Sequence, residues 1–77
     1  MKNIQISLNS IDKVKSFVST IGRFDNDFDL VSGRYVIDAK SIMGIFSLDL
    51  SKPIELSIHA DENELPAILD ALKDYQI

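Results

Sequence analysis

Several residue types that stabilise small proteins or carry catalysis are absent or scarce in this sequence. None of its 77 residues is cysteine, so neither a disulfide nor a thiolate-bound metal can stabilise the fold. The single histidine offers no pair for metal binding or for acid–base catalysis, and no glycine-rich phosphate loop can be found. The sequence therefore supports neither an enzyme nor a metal or cofactor site.

Long apolar runs and clustered positive charge are missing as well. No run of about 18 apolar residues occurs, so we expect no membrane-spanning segment. Residues 1–4 enter an alternating pattern directly, which is not typical of a signal peptide, and we expect a cytoplasmic protein. The net charge is −4 and the eight basic residues are scattered, which argues against a nucleic acid as partner.

What the sequence does contain is enough apolar material for one core. Hydrophobic residues make up 45% of the chain, and no linker or repeat interrupts it, so residues 1–77 are predicted to form a single domain. A chain this short buries only about 60% of the surface that its unfolded form exposes, and we expect modest stability.

The first half of the chain predicts a strand, a helix and a hairpin. Asn9 and Ser10 are both good N-cap residues, with Asn9 preferred, and Gly22 ends the helix. The turn of the hairpin is Ser32-Gly33. The apolar positions are Ile4, Ile6 and Leu8 in the strand; Ile11, Val14, Phe17, Val18 and Ile21 in the helix; and Phe28, Leu30, Val31, Tyr35, Val36 and Ile37 in the hairpin.

The second half predicts a short helix, a strand and a last helix. Residues 40–48 are apolar without strict alternation, which favours a helix, and alternation over 54–58 indicates a fourth strand. Either Asp61 or Asn63 caps the last helix, and Pro66, tolerated only in a first turn, favours Asn63. The buried stripe of this helix is Leu65, Ile68, Leu69 and Leu72.

This order, β-α-β-β-α-β-α, predicts an α+β fold. Helices with one apolar face must cover one side of a sheet, so we expect an open-faced sandwich of four antiparallel strands and three helices.

The segment 40–48, Lys-Ser-Ile-Met-Gly-Ile-Phe-Ser-Leu, resembles the regulatory serine region of HPr, the histidine-containing phosphocarrier protein of the sugar phosphotransferase system. The element order agrees with the HPr fold. Phe17-Val18 matches a similar pair in the family's first helix, and Asp61-Glu62 matches an acidic pair before its last helix. The resemblance covers essentially the whole chain.

The resemblance implies a phosphoryl-accepting histidine and an arginine at the start of the first helix, and neither is present. Aligned backward from Phe17, Ser10 stands at the histidine and Asp12 at the arginine; aligned from the first strand, the loop is a few residues short. Phosphoryl transfer needs a nucleophile and donors for the phosphoryl oxygens, whereas Asp12 complements the helix dipole and repels phosphate. A plain helix start is therefore expected. An acceptor at Ser10 or Asp12 is the alternative, although aspartyl phosphate chemistry normally needs an acidic Mg²⁺ cluster.

Three further features bear on function. His59 lies in the fourth strand without a readable partner and is interpreted as a surface residue. In related HPr proteins, a dedicated kinase phosphorylates the serine equivalent to Ser41, and the phosphorylated form binds a catabolite repressor. Ile42, Met43 and Phe46 occupy the positions of an apolar docking patch in the family, with Ile45 and Leu48 on the buried side.

Three functions follow as hypotheses. The first is an HPr-like protein that has lost phosphocarrier activity and acts as a regulatory, protein-binding module, switched at Ser41. Its partners would be phosphotransferase components, a serine kinase or a transcriptional regulator. The second is an active phosphocarrier with an unconventional acceptor. The third is an unrelated ferredoxin-like adaptor or toxin-system component that shares only the topology.

Overall fold

The computed structural model describes residues 1–77 and contains the seven predicted elements in the predicted order. The strands are β1 (Lys2–Ile6), β2 (Asp27–Ser32), β3 (Tyr35–Asp38) and β4 (Ile54–His59). The helices are α1 (Ile11–Ile21), α2 (Ile42–Phe46) and α3 (Leu65–Ala71). None of these helices has the length and apolar character needed to cross a bilayer.

The four strands form one antiparallel sheet in the order β1-β4-β2-β3. In its register, Leu56 of β4 lies between Ile4 of β1 and Leu30 of β2, so a row of apolar side chains crosses three strands on one face. The β2–β3 hairpin turns at Gly33, whose φ of +59° is readily adopted only by glycine.

The helices cover this apolar face of the sheet. All three contribute side chains to a core of 16 buried residues, together with β1, β2 and β4. The other face is largely polar. Ser57 is the one buried polar residue, and its hydroxyl donates to Asn3 Oδ1 at 2.9 Å. The predicted α+β open-faced sandwich is confirmed.

The start of α1 differs from the prediction in two details. The N-cap is Ser10, whose Oγ accepts a hydrogen bond from the Lys13 N–H at 3.1 Å. The preference for Asn9 is wrong, because the backbone is still extended at Ser10 and turns helical only at Ile11. The helical spacing predicts that Ile11 is buried, but Ile11 is 62% exposed and the buried stripe begins one turn later, at Val14.

The cap of α3 also differs from the prediction. Neither Asp61 nor Asn63 caps the helix; the N-cap is Glu64, which makes no side-chain capping bond. A backbone turn takes the place of the cap, since the Asp61 carbonyl accepts from the N–H groups of Glu64 and Leu65. The Glu64 carboxylate accepts in return from the Asp61 N–H at 3.0 Å. Pro66 lies in the first turn, as predicted.

The C-terminal segment (residues 75–77) covers the outer edge of β1. The Ser7 N–H donates to the Tyr75 carbonyl at 2.8 Å, and the Ile77 N–H donates to the Gln5 carbonyl at 3.1 Å. These bonds satisfy backbone groups that an edge strand otherwise leaves to solvent. The β1 edge is thus covered at Gln5 and Ser7. At the other edge of the sheet, β3 is covered only at Asp38, whose carbonyl accepts from the Ser41 N–H at 3.0 Å.

Tyr75 holds this segment against α1, which leads to a stability prediction. Its ring packs edge-on against Phe17 at 5.6 Å between centroids, and its hydroxyl is hydrogen-bonded to Ser16. Tyr75→Ala should lower the free energy of unfolding by about 3 kcal/mol, because it removes a buried ring. Tyr75→Phe should cost about 1 kcal/mol or less, because only one part-buried hydrogen bond is lost. Urea denaturation checks both values, and an equal small loss for the two variants would contradict the role of the ring.

Candidate functional site

The start of α1 is the position at which the resemblance implies phosphoryl transfer. Ser10 and Asp12 are both exposed there. The Ser10 hydroxyl oxygen is engaged with the Lys13 N–H, and Asp12 lies in the first turn. Neither a histidine nor an arginine stands in this first turn. A carboxylate at this end complements the helix dipole without any ligand, so the geometry is that of an ordinary capped helix.

His59 is the only imidazole, and it lies on the other side of the molecule. It ends β4 and alternates with the buried Ile58, which places it on the polar face of the sheet, opposite the helices. It does have a partner, which corrects the sequence interpretation: Nε2 lies 2.9 Å from Asp29 Oδ2. Asn26 Nδ2 also donates to the His59 carbonyl at 3.2 Å. These contacts account for His59 as a structural surface residue.

Ser41 is the N-cap of α2. Its backbone is extended, and its Oγ accepts from the Gly44 N–H at 3.2 Å. The residue is exposed, so its hydroxyl is open to solvent. Ser41 thus lies at the start of α2, immediately before the first helical residue, Ile42.

Helix α2 presents apolar side chains to solvent. Met43 is 79% exposed and Phe46 is 42% exposed, whereas Ile42 is half-buried and packs against the core. We call Ile42, Met43 and Phe46 the α2 patch. Ile45, on the other side of the helix, is fully buried, as predicted.

Lys40, which precedes Ser41, is held in place by its own contacts. Its Nζ donates to the Phe24 carbonyl at 2.7 Å and lies 5.7 Å from the centroid of the Phe28 ring. The backbone N–H of Lys40 donates to Asp38 Oδ1 at 3.0 Å. The Lys40 ammonium group therefore makes its contacts within the protein, and these contacts link the start of α2 to the segment between α1 and β2.

Asp49 follows α2 and begins a short turn. Its Oδ1 accepts from the Ser51 hydroxyl at 2.6 Å and from the Ser51 N–H at 3.1 Å. These two bonds, and then the charge of Lys52, hold the pKa of the Asp49 carboxyl below its ordinary value. The segment after α2 therefore carries a stable negative charge.

Comparison with known proteins identifies the family. Residues 13–76 match the family described as "PTS HPr component phosphorylation site". The chain belongs to the HPr family.

Two solved HPr structures show how closely the fold is kept. The crystal structure of HPr-C-His from Thermoanaerobacter tengcongensis is 28% identical and has a TM-score of 0.77, with 96% of this chain and 89% of that chain covered. The phosphocarrier protein HPr from Bacillus anthracis str. Ames is also 28% identical, with a TM-score of 0.71 over 99% of this chain and 94% of that chain. An unrelated adaptor that shares only the topology is thereby excluded.

The HPr match includes α2 but begins after the start of α1. Ser41 and the α2 patch lie inside the matched residues, whereas Ser10 and Asp12 lie just before them.

Some residues of interest were not found from sequence. Asp29 as the partner of His59 depends on β2 pairing with β4, which no local pattern reveals. The exposure of Ile11 was also missed, because its helical spacing fits a buried stripe. Ile11 is an exposed apolar residue at the start of α1, the helix that packs beside α2.

The Asp49 turn yields a pH prediction. Ser51→Ala removes the stronger of the two bonds and should raise the pKa of Asp49 toward its ordinary value, as followed by NMR titration of the carboxyl carbon. A depressed folded-state pKa adds stability above about pH 4, the ordinary aspartate range, and that stability is lost as the pH falls through the folded-state pKa. The variant should therefore lose less stability on acidification than the wild type.

Ser47→Ala is the matched control, because the Ser47 hydroxyl donates to the Gly44 carbonyl and not to Asp49. An unchanged Asp49 titration in Ser51→Ala, or an equal change in both variants, would show that the turn does not set this pKa.

Proposed function

We propose that this HPr-family protein has lost phosphocarrier activity and acts in the cytoplasm as a regulatory module that binds other proteins. The observation that carries the proposal is the start of α1. Ser10 and Asp12 stand there with no histidine or arginine beside them, on a fold that otherwise keeps the HPr topology.

Loss of phosphoryl transfer follows from the chemistry of these side chains. A serine hydroxyl is a weak nucleophile without an adjacent base, and the Ser10 oxygen already accepts a hydrogen bond from the helix. Asp12 supplies negative charge where phosphoryl oxygens need donors. The imidazole of His59 is on the polar face of the sheet, paired with Asp29, and cannot serve a site at the start of α1.

Protein binding is supported by the α2 patch. Met43 contributes little to the core at 79% exposure, so its apolar side chain has no evident structural use. Methionine and aromatic side chains suit protein interfaces, because methionine adapts its shape and aromatic rings bury large areas. Partners that fit the family are phosphotransferase components, a serine kinase and a transcriptional regulator.

A switch at Ser41 is supported by its position before the α2 patch. The hydroxyl is exposed, and a phosphate on Oγ would keep an acceptor for the Gly44 N–H. Phosphorylation adds nearly two negative charges at neutral pH, stabilised at a helix N-terminus by about 0.3–1 kcal/mol. The fold should survive the modification, while the added charge would favour partners that present arginine to the patch.

The first prediction of this proposal is that Enzyme I and phosphoenolpyruvate transfer no phosphate to the protein. Labelled phosphoenolpyruvate, with an ordinary HPr as the positive control, gives the measurement. Near-stoichiometric labelling, acid-stable if on serine and labile if on aspartate, would overturn the proposed loss of activity in favour of an unconventional acceptor. Ser10→Ala and Asp12→Asn would then identify the residue that carries the label.

The second prediction is that the family's serine kinase and ATP phosphorylate Ser41. Intact-protein mass spectrometry should show one phosphate on the wild type and none on Ser41→Ala. Ser47→Ala is the matched control, since it removes the other hydroxyl next to the same helix. Met43→Ser should slow phosphorylation several-fold without changing thermal stability, because the side chain is exposed and the kinase would dock on it.

Two outcomes would count against this switch. One is a wild-type protein that takes up no phosphate, and the other is an equal uptake by Ser41→Ala. Unchanged phosphorylation of Met43→Ser would remove the α2 patch as the docking surface for the kinase.

A further inference from the structure

The free edge of the sheet is strand β3, and it exposes apolar side chains. Tyr35 is 70% exposed and Val36 is 65% exposed, although both lie in a strand. The opposite edge, β1, is covered at Gln5 and Ser7 by the C-terminal segment. An open edge with apolar residues is a template for pairing with another strand.

Along this edge, alternate residues of β3 point their backbone N–H and carbonyl groups away from β2. The Ala39 N–H donates to the Phe28 carbonyl at 2.9 Å, which fixes the hydrogen-bonded pairs of the β2–β3 ladder. Because such pairs alternate along an antiparallel ladder, Ile37 also bonds to β2, whereas Val36 lies in a non-bonded pair with Val31. The N–H and carbonyl of Val36 therefore point away from the sheet, as do those of Asp38. The Asp38 carbonyl accepts from the Ser41 N–H at 3.0 Å, so the groups left unpaired on this edge are the N–H and carbonyl of Val36 and the N–H of Asp38.

The charges at the two ends of β3 are complementary to each other. Arg34 precedes the strand and Asp38 ends it, and the two residues are equally distant from Val36 in sequence. If two β3 strands lie antiparallel with Val36 opposite Val36, Arg34 of each copy lies opposite Asp38 of the other. A shift of the register by two residues in one direction instead places Arg34 opposite Lys40, which is unfavourable.

From these observations we propose that a second copy of this chain pairs with β3 through the antiparallel Val36-centred register. Val36 of each copy exchanges both backbone hydrogen bonds with its counterpart, and Tyr35 packs across from Ile37. The two sheets join into one, with all helices on the same side.

This dimer is weak and depends on concentration. A contact made by four-residue strands is smaller than a standard protein interface, and we expect a dissociation constant on the order of 0.1–1 mM. Sedimentation equilibrium and NMR dilution spectra over a concentration range that spans this constant should show a monomer–dimer equilibrium. The amide signals of Val36 and Asp38 should shift most.

A charge-swap experiment tests the register. Arg34→Asp and Asp38→Arg each bring like charges together and should weaken self-association about tenfold, through two lost ion pairs and their replacement by repulsion. An equimolar mixture of the two variants should associate again, because each presents the charges that the other lacks. Arg23→Asp and Asp25→Arg, exposed residues outside the strand, change the net charge equally and should leave self-association unaltered.

Asp38→Arg also removes the acceptor of the Lys40 N–H, so thermal unfolding of each variant is compared with the wild type. Asp38→Asn keeps an oxygen for that N–H and loses only the charge, and it should still weaken association severalfold. A protein that stays monomeric throughout the range, or variants that associate as the wild type does, would overturn the proposal. A mixture that fails to associate would overturn the Val36-centred register.

Discussion

The pairing of β4 with two partners at once is the interaction on which the rest of the fold depends. This strand comes late in the chain, yet it lies between β1 from the N-terminus and β2 from the hairpin. Its three apolar residues, Ile54, Leu56 and Ile58, are almost completely buried. Without β4, β1 and the hairpin would have no contact within the sheet, and the helices would lose a continuous apolar surface.

The same arrangement explains why the two faces of the sheet, and its two edges, differ in how far other parts of the chain cover them. One face is committed to the core, because helices α1, α2 and α3 all pack their apolar sides onto it. The edge next to β4 on one side is β1, and the C-terminal segment covers it at Gln5 and Ser7. Surface available for other molecules therefore lies on the polar face, on the exposed sides of the helices and along the uncovered parts of the two edges.

Sequence reasoning predicted the elements well because each has a local signature. Alternation in β1 and β4, helical spacing in α1 and α3, and the glycine of the hairpin turn all act over a few residues. Sequence reasoning failed where tertiary contacts determine the burial of a residue or the cap of a helix. Ile11 fits the helical stripe but extends past the core, and a backbone turn at Asp61 replaces the expected side-chain cap of α3.

In the candidate site, too, features set by local sequence could be predicted and features set by tertiary contacts could not. The absence of histidine and arginine near Ser10 can be read directly from the sequence, and so can the likeness of residues 40–48 to HPr. The partner of His59 could not be found, because Asp29 comes 30 residues earlier and approaches only through the β2–β4 ladder.

The contacts of Lys40 determine what surface an enzyme would meet if it modifies Ser41, as proposed above. The ammonium group is bound to the Phe24 carbonyl and lies over the Phe28 ring, so the residue before the serine is not a free charge in an extended segment. A modifying enzyme meets a folded surface made of distant parts of the chain. A short synthetic peptide copied from residues 38–48 would lack that surface and would be a poor substitute for the intact protein.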